Sequence, residues 1–133
     1  MNETPYCFCL LMAEFVKRER GSGTFTLVGV FDSLTFSALP IEMTIAVFFG
    51  VIDGRGRMPI KLQVVDSDEE ANDEPVAALD AEIELSNPLE QFETQVPIPV
   101  RFERPGVYHL ELWANGERIQ TRRLTIIEAS REA

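Results

Sequence analysis

His109, Glu111 and Trp113 recur at every second position of one segment, so on a strand they share a face and set an imidazole near a carboxylate. Such a pair can do general acid–base work. His109 is the only histidine, however, and no Gly-x-Ser-x-Gly elbow supplies a nucleophile beside it. The row reads better as a sheet-covering face, on which the Trp113 indole offers a flat platform to a sugar. Cys7 and Cys9 are the only cysteines. On a strand their side chains point the same way but are poorly placed for an unstrained bridge, and the apolar neighbours Tyr6, Phe8 and Leu10 raise a thiol pKa. Reduced, buried thiols are expected. Two cysteines and one histidine are too few soft ligands for structural zinc.

The loop over residues 66–74 is a third candidate, because Asp66, Asp68, Glu70 and Asp73 could give oxygen ligands to calcium. An EF-hand needs glycine at its sixth position and glutamate at its twelfth, where this chain has Ala71 and Ala77. Repulsion among the carboxylates then keeps the loop open, and any cation effect is weak and unspecific. Gly21-Ser22-Gly23 and Gly54-Arg55-Gly56-Arg57 lack phosphate-loop spacing and read as hairpin turns. No metal, cofactor or catalytic residue is expected.

These residues are carried by a chain of 133 residues, 45% hydrophobic and 26% charged, which is enough for one core and reads as one domain over 1–133. Its apolar segments run with period two, and turn signals recur at the spacing of all-β folds. Tyr6 to Lys17, a Gly-rich turn and Thr24 to Phe31 form a hairpin. Ile41 to Ile52 is the most apolar run and reads as a central strand. Ile60 to Val65 and Val76 to Leu85 follow. Prolines at alternate positions in Val96-Pro97-Ile98-Pro99-Val100 suit only an edge strand. Val107 to Ala114, Asn115-Gly116 and Glu117 to Ile127 form a closing hairpin. The expectation is an all-β, antiparallel β-sandwich of immunoglobulin-like character with seven or eight strands, a small β-barrel being the alternative.

The formal charge of −10 repels phosphate, which argues against nucleic acid and anionic membranes as partners. The start of the chain shows neither a basic leader nor an uninterrupted apolar span, so a cytoplasmic protein is expected. Half of the twenty-two acidic residues lie between Asp66 and Glu93, and no lysine or arginine stands between Lys61 and Arg101. Asp80, Glu82 and Glu84 therefore look paired with late-strand arginines, Arg122 among them.

The hairpin ending Leu27-Val28-Gly29-Val30-Phe31-Asp32-Ser33-Leu34, the strand end Leu62-Gln63-Val64-Val65-Asp66-Ser67-Asp68 and the segment Phe102-Glu103-Arg104-Pro105-Gly106-Val107-Tyr108 resemble a family of small uncharacterised bacterial proteins. The resemblance implies a β-sandwich of bacterial cytoplasmic origin and no particular activity.

The first strand and the Ile41 to Ile52 strand are apolar on both faces, more than a two-layer fold readily hides. The function expected is a non-catalytic protein-interaction or accessory module, whose partner is another protein or a second copy of the chain. Tyr6, Phe8, Leu10 and Met12, with Trp113, Arg118 and Arg122, make up the candidate interaction surface. The alternative is a small-ligand binder, with calcium at loop 66–74 or a sugar on the aromatic face.

Overall fold

A computed structural model describes residues 4–68 and 74–129. Nine strands occupy them: β1 (Tyr6–Arg18), β2 (Phe25–Phe31), β3 (Ser33–Phe36), β4 (Ile41–Ile52), β5 (Gly56–Asp66), β6 (Ala77–Leu85), β7 (Phe92–Phe102), β8 (Gly106–Ala114) and β9 (Glu117–Glu128). They form a four-stranded sheet in the order β2-β1-β4-β7 and a five-stranded sheet in the order β3-β9-β8-β5-β6. The fold is an all-β sandwich. Each sheet keeps two free edges, so the barrel alternative does not hold.

The strand count exceeds the seven or eight expected because β3 forms at the start of the irregular stretch before Pro40. Four residues are too short to show a period. β3 also departs from the all-antiparallel expectation, since it runs parallel to β9, pairing Ser33 with Thr125 and Phe36 with Glu128. The proline segment lies on β7, at an edge as its missing N–H groups require, with Pro97 opposite Ala46 and Pro99 opposite Thr44. Asn115 and Gly116 both have positive φ, 57° and 77°, the backbone a type I′ turn needs to close β8 onto β9.

The core lies between the inner faces. Met12, Ile45, Val47, Phe49, Ile98 and Phe102 of the first sheet meet Ile60, Leu62, Leu110, Leu112, Leu124 and Ile126 of the second. Each such side chain contributes about 1.5–3 kcal/mol of burial. Tyr108 joins them with its ring edge-on to Phe102, 5.0 Å between centroids, while its hydroxyl donates to the Arg104 carbonyl at 2.6 Å. This hydrogen bond pins the β7–β8 turn to the body of the sandwich.

Two expectations fail for local reasons. On β1, Tyr6, Phe8, Leu10 and Met12 do not share a face. The pairing steps from Cys7 opposite Val51 to Cys9 opposite Gly50, so Phe8 is an extra residue, a β-bulge that exchanges the faces beyond it. Tyr6 and Phe8 are exposed, Leu10 and Met12 are buried, and Cys7 enters the core while Cys9 does not. The acidic row of β6 does not meet Arg122 either. Its neighbour is β5, which sets Lys61 opposite Asp80 and Arg57 opposite Glu84, with Arg57 Nε 3.2 Å from Glu82 and 3.4 Å from Glu84. Arg122 stands on β9, opposite Leu110 of β8.

Tyr108→Phe keeps the ring and removes only the hydroxyl's bond, so it should lower the unfolding free energy by about 1 kcal/mol, read as a shifted urea midpoint with an unchanged slope.

Candidate functional site

The outer face of the five-stranded sheet carries the polar residues that the sequence singles out. β5, β8 and β9 align Gln63, Glu111 and Thr121 in one cross-strand row, and β6, β5, β8 and β9 align Asp80, Lys61, Trp113 and Arg118 in the next. A bulge between Leu112 and Trp113 sets Arg118 opposite the indole. Glu111, 7% exposed, is the one buried charged side chain among the described residues. Its Oε1 accepts from Gln63 Nε2 at 2.6 Å and from Trp113 Nε1 at 3.0 Å, and its Oε2 accepts from Arg118 Nη1 at 3.2 Å. Burial by itself would raise the Glu111 pKa. The three donors and the Arg118 charge outweigh it and hold the carboxyl below its ordinary value. Glu111 is thus an ionised anchor that fixes the indole's orientation.

Beside the indole lies a cavity of about 370 Å³ lined by Pro59, Ile60, Lys61, Gln63, Asp80, Trp113 and Gly116. Lys61 and Asp80 face each other there, and among the described residues neither closes an ion pair, so a donor and an acceptor stand at its wall. The spacing of His109, Glu111 and Trp113 pointed to this face. Gln63 and Lys61 were not singled out, and the sequence assigns Asp80 to a ladder with late-strand arginines, because their strands join this face only through pairings distant in sequence.

His109 and Glu111 do not act on one another, since the His109 Nδ1 pairs with the Ser67 hydroxyl at 2.5 Å. Of the four carboxylates considered for calcium, Glu70 and Asp73 lie outside the described residues. Asp66 and Asp68 both face Arg104, whose Nη2 is 2.9 Å from Asp66 and whose Nη1 is 3.4 Å from Asp68. Burial pushes the Cys7 thiol up. Cys9 is raised too, by burial and then by Glu93, with Arg122 opposing. Both thiols are thereby kept protonated.

The candidate interaction surface does not form one patch. Trp113 and Arg118 lie on the face just described. Tyr6 and Phe8 lie on the outer side of the other sheet, where the Phe8 ring covers Gly50 so closely that a Cβ there would stand 2.3 Å from its Cζ. Arg122 is half-buried, and its Nε has no hydrogen-bond partner among the described residues. Leu10 and Met12 are core. Apolar exposure is instead concentrated on β1 and β2: Tyr6 is 60% exposed, Phe15 50%, Val30 48% and Val28 40%. Phe15 pairs with Val28 and Ala13 with Val30, so these side chains make one cross-strand strip. Alternation around Gly29 was the signal that could have marked Val28 and Val30.

Residues 9–127 match the model of DUF6941, a family of unknown function. The chain belongs to this family. DUF6941 membership accords with the resemblance seen in the turn and strand-end segments and assigns no activity. No curated protein matches the chain. Among solved structures, it is similar to part of a β-glucosidase from Listeria innocua crystallised with isofagomine, at 13% identity and a TM-score of 0.47, over 71% of this chain and 14% of that one. The chain thus spans about a seventh of that enzyme's length, and the likeness carries nothing about activity.

Glu111→Gln turns an amide toward Arg118 in place of the carboxylate. It should cost about 1–2 kcal/mol at pH 7. Because folding depresses the Glu111 pKa, the wild-type advantage is complete above the ordinary carboxyl value of the unfolded chain and is lost as pH falls through the lower folded value. Urea unfolding of both proteins at pH 7 and pH 3 should show the gap narrowing in acid.

Proposed function

We propose that the chain is a non-catalytic interaction module that binds another protein through the outer side of β1 and β2. The observation that carries this reading is the strip formed by Phe15, Val28 and Val30, with Tyr6 further along β1, exposed together on one sheet, whereas the exposed Leu89, Val107 and Ile127 lie elsewhere in the fold. Exposed apolar surface on an ordered sheet marks a contact site. A cytoplasmic, bacterial setting fits the free, protonated thiols and the family resemblance, and the charge of −10 turns the choice of partner away from nucleic acid.

Phe15→Asp combined with Val30→Asp changes only half-exposed or more exposed positions, so the fold should survive with a near-native circular dichroism spectrum. Association with a purified partner or with a second copy, measured by sedimentation, should weaken by about tenfold or more. Equal association by the wild type and the double variant would reject the surface.

A second reading rests on the Trp113 cavity, where an indole clamped by Glu111 stands beside the Lys61 and Asp80 groups. This suits a small polyhydroxylated ligand, whose C–H face stacks on the ring while its hydroxyls meet the charged pair. A panel of mono- and disaccharides should change Trp113 fluorescence at millimolar concentration. No saturable change with any sugar rejects this reading.

A further inference from the structure

The sandwich has four sheet edges, and three of them are blunted. β7 carries Pro97 and Pro99, which remove backbone donors. β6 carries the exposed acids Asp80, Glu82 and Glu84. β3 is only four residues long. Charged, proline-containing or very short edges resist pairing with other strands. β2 has none of these devices. Its seven residues, Phe25-Thr26-Leu27-Val28-Gly29-Val30-Phe31, include no proline and no charge, and none of them is buried. Its one irregularity is Gly29, at φ 67°, where an added Cβ would meet the Glu14 side chain at 2.7 Å.

We propose that β2 is an assembly edge that pairs antiparallel with β2 of a second copy, joining two four-stranded sheets into one of eight strands across a two-fold axis. This rests on the interaction-module reading and names its partner. Self-pairing over the full length of a seven-residue strand puts its fourth residue, Val28, on the axis opposite its own counterpart, with Phe25 opposite Phe31 and Thr26 opposite Val30. The Phe15–Val28–Val30 strips of the two copies then become continuous, and each covers apolar surface left open in the single chain.

Charge selects the same arrangement. A chain of charge −10 should repel its copy, yet the seam itself holds no charged side chain. The tip of the β1–β2 hairpin is net basic, with Lys17, Arg18 and Arg20 against the single acid Glu19 that pairs with Lys17, whereas the opposite end carries Asp32. Antiparallel pairing lays the basic tip of each copy toward the acidic end of the other, twice over. Arg20 and Asp32 are both exposed and have no ion-pair partner among the described residues. A parallel arrangement would set tip against tip.

Sedimentation equilibrium at high micromolar concentration should give twice the 15.0 kDa of one chain. Val28→Lys would face two ammonium groups across the axis and should weaken the dimer about tenfold or more, with its circular dichroism spectrum unchanged. Val28→Cys should oxidise to a covalent dimer, with peptide mapping locating the bond between the two introduced thiols, whereas Glu82→Cys on the acidic edge should not. A wild type that sediments at 15.0 kDa throughout, with no cross-link at position 28, overturns β2 pairing. If that monomer still binds a purified partner in a Phe15- and Val30-dependent way, the interaction-module reading stands and only the second copy is rejected.

Discussion

β4 has to be covered on both sides. From Ile45 to Val51 it is apolar on each alternating face and almost wholly buried, in a protein that has only two layers. The second sheet covers one side through Leu62, Leu110 and Leu112. The other side must be covered from within the same sheet, and two aromatic rings do this. Phe8, thrown out by the bulge in β1, lies on Gly50, and Phe25 packs edge-on to Phe48 with 5.1 Å between centroids. The absence of a Cβ at Gly50 is what lets a ring lie flat against the backbone. Once these rings are committed to β4, the apolar residues farther along β1 and β2 are left without cover. The exposed strip is the remainder of that requirement.

The two outer faces solve different problems. On the five-stranded sheet polar groups satisfy one another, and the carboxylate of Glu111 gathers an amide, an indole and a guanidinium into one network. Such a network fixes orientations more than it adds stability, because a buried charge must first be desolvated. On the four-stranded sheet the ion pair of Glu42 with Arg101 lies at the β4–β7 side, whereas the strip on β1 and β2 is hydrocarbon and is oriented only by the backbone. The first surface is therefore built for direction and the second for area.

Much of this was legible in the sequence, where a residue type has one mechanical meaning. Alternating prolines can only sit on an edge, Asn115-Gly116 can only close a tight hairpin, and an apolar run such as Ile41 to Ile52 can only be central. The bulge at Phe8 was not legible. A period-two pattern continues unbroken through Tyr6, Phe8, Leu10 and Met12, and only the pairing with β4 reveals the inserted residue. Partner choice for the acidic row was hidden for the same kind of reason. Alternation marks the exposed side of β6, whereas strand order decides whether Arg57 or Arg122 stands beside it. The Glu111 donors come from three strands, and Gln63 lies 48 residues from its acceptor.

The parallel pairing of β3 with β9 sets an order on assembly. In its sheet β3 has a single hydrogen-bonded neighbour, β9, which is made much later in the chain. The β1–β2 hairpin can close as soon as it is made, since its contacts are local. β3, next in the chain, must wait until residues 125–128 have been synthesised. Until then β3 is an unpaired strand tethered to a finished hairpin. Docking of β3 is therefore a late, long-range event governed by β9.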